Sequence, residues 1–307
     1  MDRLSDLESL GARRRPVILA SGFLDGLHLG HQAVLKTAVE AARDLQGEAW
    51  VLTVDPHPMK LLHPESAPAI LTDPASRLRR MEETGIDGVV MLPFTQDFAR
   101  QEPEAFFQSL LEQIPLLRGL VVGDNWRFGR AARGDTRLLR KMAETAGLPV
   151  RLVSPLLWKG APISSSRIRR AVELGDVREA AHMLGRPFSV PGTVVHGRGV
   201  GRELGFPTAN LAPDNEARPA AGVYAVRVTG LDSPRPGIAY YGERPTFGDA
   251  QRPDLEVHLF DLKEDLYGRK LEVHFIDRLR GSHRFSSRDD LIAQIHADVQ
   301  QARESLC

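Results

Sequence analysis

The sequence predicts an α/β region followed by an all-β region: a parallel sheet flanked by helices, then a small antiparallel β-barrel with a terminal helix. Three observations predict it. Up to about residue 185, short apolar runs alternate with amphipathic stretches, as in strands buried on both faces and connected by helices. After Arg186-Pro187 the pattern switches to period-two alternation between glycine and proline turns. The chain then finishes in an amphipathic stretch of helical spacing. At 307 residues two hydrophobic cores are expected, and the change of pattern divides the chain into 1–185 and 186–307.

In the first part, residues 17–20, 49–54, 88–92, 119–122 and 150–153 read as strands. Helices are predicted over 32–45, closed by Gly47, over 103–113 with proline in the first turn, and over 135–146, closed by Gly147. Two short helices follow, 166–174 ended by Gly175 and 177–184 between Asp176 and Gly185, and read as a connector. Strands are then expected over 222–228, 237–241, 255–262 and 270–276, with a small antiparallel barrel as the simplest closed form. A final helix over 288–304 starts at a capping box of Ser287 and Asp290, and its stripe of Leu291, Ile292, Ile295 and Val299 is expected to cover the barrel.

Lysine plus arginine and aspartate plus glutamate number 40 each, so no net field draws the chain to nucleic acid or to an anionic membrane. Any phosphate site must be local. The only cysteine is Cys307, which excludes an intrachain disulfide and fits a reducing compartment. No basic segment precedes an apolar one at the N-terminus, and no run approaches the roughly 20 apolar residues of a membrane span, so a cytoplasmic protein is expected.

Two stretches carry chemistry. The first, from Ser21 to His31, follows the first strand and opens the first helix, where unpaired amides, a partial positive charge and glycines favour phosphate. It contains Gly22, Asp25, His28, Gly30 and His31; the two histidines suit an α-phosphate that gains charge, or else act as capping residues or a metal pair. The run Ser164-Ser165-Ser166-Arg167 offers hydroxyls, amides and a fixed positive charge at another helix start, a phosphate clamp or a plain N-cap. Asn125 suits a turn as well as a ligand.

The second stretch runs from His196 to Asn210. Gly197, Gly199, Gly201 and Gly205 precede Pro207-Thr208-Ala209-Asn210, with neither the lysine of a Walker loop nor the βαβ frame of a dinucleotide site. Thr208 and Asn210 are two apart, so in extended chain their oxygens share one side and suit a common metal ion. Downstream, Glu256 and Glu272 each sit between aliphatic neighbours on the opposite face of a strand, and spacing does not separate them.

At the His28–His31 block the chain resembles the HxGH nucleotidyltransferase superfamily, and from about Val17 onward it is similar to the bacterial bifunctional riboflavin kinase/FAD synthetase family. The ordered blocks that carry the likeness include Asp55-Pro56-His57-Pro58, Val122 to Gly129, Gly134-Asp135, Ile163 to Arg169 and the glycine loop ending in Pro-Thr-Ala-Asn. Gly222-Val223-Tyr224, Arg244-Pro245-Thr246, Leu266-Tyr267-Gly268 and Leu279-Arg280 continue it.

The resemblance implies a Rossmann-like FMN adenylyltransferase domain over 1–185 and a riboflavin kinase barrel over 186–307. It implies ATP at the first helix, with Gly22, Asp25, Gly30, His28 and His31 at the phosphates, Asn125 facing a nucleotide or flavin phosphate, and Ser164, Ser165 and Arg167 on pyrophosphate. In the barrel it implies Gly197, Gly199, Gly201 and Thr208 around ATP, Mg²⁺ on Thr208 and Asn210, and Glu256 as general base for riboflavin. The substrates implied are riboflavin, FMN and ATP. Leu24 and Val54 replace family phenylalanines, Tyr240 and Tyr241 stand where asparagine and isoleucine are common, and Gly281-Ser282-His283 replaces a more acidic stretch.

Overall fold

A computed structural model describes residues 1–197, 200–242, 254–262 and 264–306. Packing divides the chain after Ser164 into two units. The first is built on a six-stranded parallel sheet of β1 (Asp2–Leu4), β2 (Val17–Ser21), β3 (Glu48–Asp55), β4 (Gly88–Pro93), β5 (Leu117–Gly123) and β6 (Val150–Val153), in the order β1-β4-β3-β2-β5-β6. A short hairpin of β7 (Leu157–Trp158) and β8 (Ala161–Pro162) follows. The helices are α1 (Leu7–Gly11), α2 (Leu29–Asp44), α3 (Pro58–Leu62), α4 (Pro74–Glu82), α5 (Gln96–Arg100), α6 (Pro103–Gln113) and α7 (Thr136–Thr145).

The continuous apolar runs arise because side chains alternate between two cores. Leu19, Trp50, Leu52, Val90 and Val122 face one layer with Phe106 and Leu110 of α6 and Leu139 of α7. Ile18, Ala20, Val51, Val89 and Val121 face the other with Leu35 and Ala38 of α2 and Met81 of α4. Gly88 is required by a close approach, since a Cβ there would lie 2.3 Å from the Trp50 indole on the neighbouring strand. The five expected strands are present, and the sheet gains β1, which pairs in parallel with β4. At three residues β1 is too short to show a period.

In the second unit, α8 (Ser165–Glu173) and α9 (Val177–Leu184) precede six antiparallel strands: β9 (Phe188–Val195), β10 (Ala209–Pro213), β11 (Gly222–Thr229), β12 (Arg235–Gly242), β13 (Asp254–Leu259) and β14 (Lys270–Gly281). They close into a barrel in the order β10-β13-β12-β11-β14-β9. A single turn, α10 (Val200–Glu203), and the terminal α11 (Arg288–Leu306) complete the unit. Four of the six strands are visible as alternation in the sequence. Pro191-Gly192 interrupts the pattern of β9, and β10 begins inside the Pro-Thr-Ala-Asn run.

The two connector helices are fastened to the barrel. Arg178 on α9 pairs with Asp277 at 2.7 Å, the Arg278 guanidinium donates to the Leu174 carbonyl, and Ile168, Val172, Ala180 and Met183 are buried. The shift at 185–186 therefore marks the change from helix to strand, while the packing division falls after Ser164.

The barrel interior holds Tyr224, Val226, Ala239, Leu255, Val257 and Phe275, all buried. The outer face carries Val223, Ala225 and Ile238, which pack with Ile295, Val299, Ala302 and Leu306 of α11. Leu291 instead lines a cavity beside this contact. Ser287 caps α11 by accepting from the Asp290 amide at 3.1 Å, and the Asp290 carboxylate turns to Ser286. A charge pair ties the helix down: Asp298, 1% exposed, accepts from Arg280 Nε at 2.9 Å and Nη2 at 2.8 Å and from Gln294. Removing one member of such a pair leaves the other charge buried, so Asp298→Ala should destabilise the second unit by about 3–5 kcal/mol in urea denaturation. Ser287→Ala should cost about 1 kcal/mol, the usual loss of an N-cap.

Candidate active sites

In the first unit the strand order reverses at β2, which has β3 on one side and β5 on the other. In open α/β sheets ligands bind outside the carboxyl ends of the strands at such a reversal. The chain leaves β2 through Gly22 and a tight turn in which Leu24, Gly26 and Leu27 all have positive φ, and then enters α2. Leu24 is buried in the core under α2, so the exchange from phenylalanine is absorbed by packing there. Val54 likewise packs against the opposite core.

His28 is the N-cap of α2. Its Nδ1 accepts from the His31 amide at 3.3 Å, which leaves the ring proton on Nε2. The two imidazoles stack at 3.6 Å. Gly30 makes this possible, because a Cβ there would sit 3.1 Å from His28 Cε1. His31 keeps some exposed surface, but its Nδ1 is sealed and has no hydrogen-bond partner. Burial, and then the neighbouring His28, hold the His31 pKa well below its ordinary value, so the ring is neutral at pH 7. Among the described residues no group of three or more His, Cys, Asp or Glu is placed to hold a metal, so the metal-pair alternative lacks ligands.

Asp25, expected among the phosphate-binding residues, is turned toward backbone. Its buried carboxylate accepts from the backbone amides of Leu71 at 3.1 Å and Thr72 at 3.2 Å. A carboxylate held this way positions the turn, and its charge would repel a phosphate. Nearby, Arg77 on α4 is 1% exposed, donates to the Phe23 carbonyl at 3.3 Å and pairs with Asp55 at 3.5 Å. It braces the same turn from beneath. Nothing in the sequence distinguishes Arg77 from Arg79 and Arg80.

Asn125 is exposed in the turn that follows β5, where Trp126 donates to the Gly123 carbonyl. Ser164 ends the first unit, half-buried. Ser165 opens α8 in the second unit, and Arg167, two residues on, pairs with Glu179 of α9 at 3.7 Å.

In the barrel, one row of side chains crosses five strands on the outer face. Asn210 on β10 is opposite Glu256 on β13, which is opposite Tyr240 on β12, then Val223 on β11 and Arg280 on β14. All five line a cavity of about 350 Å³, together with Thr208, Phe206, Leu291 and Ile295. The Thr208 hydroxyl lies 3.3 Å from Glu256 Oε2 and donates to it. Glu272, equivalent by spacing, accepts from Ser189 at 2.7 Å and is absent from the residues lining the cavity. The barrel thereby separates two carboxylates that spacing alone left equal.

The glycine loop closes on these side chains. A Cβ at Gly197 would lie 2.2 Å from Asn210 Nδ2, and one at Gly201 would lie 2.5 Å from the Phe206 carbonyl and 3.0 Å from Thr208 Oγ1. Gly199 and the Arg244-Pro245-Thr246 block lie outside the described residues. His258, two residues along from Glu256, binds the Pro207 carbonyl through Nδ1 at 2.9 Å and holds the Pro-Thr-Ala-Asn segment. Its place on the same strand face was readable; its partner was not. Asp298 also had a signal, a charge three residues after Ile295 on the apolar stripe.

A nucleotide-type α/β crevice and a barrel cavity with a carboxylate, a hydroxyl and an amide together define a two-part transferase acting on phosphate groups. The model of the FAD synthetase family matches residues 11–167, and that of the riboflavin kinase family matches residues 184–306. The bifunctional riboflavin kinase/FMN adenylyltransferase of Escherichia coli (strain K12) is 39% identical over 94% of this chain and 92% of its own length. That of Pseudomonas fluorescens is 35% identical over 99% and 97%. A solved structure described as a macrolide-efflux protein from Streptococcus pneumoniae is 31% identical, with a TM-score of 0.90 over 99% of both chains. No helix among the described residues is long and apolar enough to cross a membrane. The chain belongs to the bifunctional riboflavin kinase/FMN adenylyltransferase family.

The neutral His31 sets a pH dependence. The unfolded chain takes up a proton near 6.5 and the folded chain only well below it, so stability falls as pH drops through 6.5. The urea midpoint should decline between about pH 7.5 and pH 5.5, and His31→Gln should flatten that decline.

Proposed function

We propose that the chain's two activities are divided between its two parts: phosphorylation of riboflavin to FMN in 186–307, and adenylylation of FMN to FAD with release of pyrophosphate in 1–185. The observation that carries this reading is the convergence of Thr208, Asn210 and Glu256 on one cavity that also has an apolar wall of Phe206, Val223, Ile238, Leu291 and Ile295. The polar end suits a phosphoryl transfer, and the apolar walls suit a flavin ring.

In the first reaction Glu256 accepts the proton of the ribityl 5′-hydroxyl as that oxygen bonds to the γ-phosphorus of ATP and the bond to ADP breaks. A carboxylate suffices because the proton moves late in a loose transition state. Thr208 steadies the carboxylate, and the amides around Gly197, Gly199 and Gly201 cradle the phosphates. Thr208 and Asn210 offer the neutral oxygens that suit a Mg²⁺ ion still carrying water and phosphate ligands. When bound, the ion neutralises charge on the transferred group.

In the second reaction a phosphate oxygen of FMN attacks the α-phosphorus of ATP, and pyrophosphate leaves. No side-chain nucleophile is required. The N-terminal amides of α2 and the ring N–H groups of His28 and His31 meet the charge that builds on the α-phosphate. Gly22 and Gly30 let phosphate approach the backbone, and Asp25 holds the turn. Asn125 is assigned to a substrate phosphate, and Ser164, Ser165 and Arg167 to pyrophosphate, on the family motif. An even charge balance and a single cysteine support small-molecule partners, without nucleic acid or membrane, and a cytoplasmic setting.

Purified full-length chain given riboflavin, ATP and Mg²⁺ should yield FMN and then FAD by HPLC, and absence of any flavin conversion would refute the assignment. Glu256→Gln should slow phosphorylation about 100-fold or more while supplied FMN still becomes FAD. His31→Gln should do the reverse, and loss of both activities in either variant would contradict separate centres. Asn210→Ala should raise the Mg²⁺ concentration needed for half-maximal phosphorylation, and an unchanged midpoint would remove Asn210 from the metal.

A further inference from the structure

The cavity in the barrel has a feature that neither the motif nor the general-base chemistry uses. Tyr240 stands in the cross-strand row between Glu256 and Val223, at the join of the reactive end and the apolar wall. It is 37% exposed at the cavity rim. Its ring leans along β12 over Gly242, where a Cβ would lie 2.3 Å from the phenol oxygen and 2.5 Å from Cζ. The phenol oxygen is 3.1 Å from Ser282 Oγ, on the segment that follows β14. That segment is held from its other side by Arg280, whose Nη1 lies 3.2 Å from His283 Nδ1. Tyr240 and Ser282 are two of the positions at which the chain departs from the common family wording, and the structure shows them bonded to each other.

We propose that Tyr240 is a specificity-determining residue for the planar ring of the flavin, and that its hydrogen bond to Ser282 is the clasp that sets its place at the cavity rim. The proposal rests on the reading of this cavity as the riboflavin site. In the free protein the clasp is exposed and contributes little, because water competes for both hydroxyls. A flat aromatic ligand laid against Tyr240 excludes that water and strengthens the bond, so ligand and clasp stabilise each other. The contact is with the ring and not with the reacting hydroxyl. It therefore acts on binding and leaves the chemical step alone.

Full-length protein is assayed for riboflavin phosphorylation and, without ATP, for quenching of riboflavin fluorescence. Tyr240→Ala should raise the riboflavin KM about tenfold, with kcat within about twofold, and should weaken the quenching titration to match. Tyr240→Phe keeps the ring and should show a smaller rise, equal to that of Ser282→Ala. The double variant should be no worse than either single one, since all three break the same bond. The ATP KM and FAD formation from supplied FMN should be unchanged, which certifies folding. An unchanged riboflavin KM in Tyr240→Ala, or a loss confined to kcat, would overturn the specificity role; additive effects of Tyr240→Phe and Ser282→Ala would overturn the clasp. Failure of the wild-type chain to phosphorylate riboflavin or to quench its fluorescence marks the other error, that the cavity is not the riboflavin site.

Discussion

The antiparallel register of β10 with β13 is the constraint on which the barrel centre depends. It sets Asn210 opposite Glu256, and closure of the barrel carries the same row through Tyr240, Val223 and Arg280. Because side chains alternate with a period of two, a slip of one residue in β13 would send Glu256 into the interior and turn Leu255 and Val257 outward, and a slip in β10 would do the same to Asn210. The buried outer and inner faces make that slip costly. The same packing that stabilises the barrel therefore holds its polar groups in place.

The first unit solves its problem with backbone. The element to which phosphate binding is assigned is the start of α2, and the imidazole of His28 caps that helix. Gly30 leaves room for the ring, Asp25 anchors the turn to the amides of residues 71 and 72, and Arg77 grips the Phe23 carbonyl. Each of these polar side chains makes at least one hydrogen bond to main chain, which orders the turn before any ligand arrives. With His31 neutral, the stacked rings avoid the repulsion that two imidazolium rings at 3.6 Å would suffer.

Position within a motif did not always foretell role. Asp25 and His28 share one stretch of sequence, yet the carboxylate turns inward to backbone while the histidine caps the helix. Glu256 and Glu272 have the same local pattern, and only the strands beside them differ: Ser189 on β9 engages one, while Thr208, just before β10, engages the other. Arg280, quoted in the sequence only as part of a downstream block, joins the cavity wall to α11 through Asp298.

From the sequence alone came the division into α/β and β regions, five of the six parallel strands, six of the eleven helices described, and the two glycine-bearing stretches to which the chemistry is assigned. These are local properties: periodicity, turn residues and capping are all set within a few neighbours along the chain. The short strand β1, the interrupted strand β9, the different partners of Glu256 and Glu272, the burial of Arg77 and Asp298, and the meeting of Tyr240 with Ser282 were decided only by tertiary structure. Each depends on partners far apart in sequence, brought together by strand pairing and by the burial of apolar faces, and no local pattern encodes which distant group a side chain will meet.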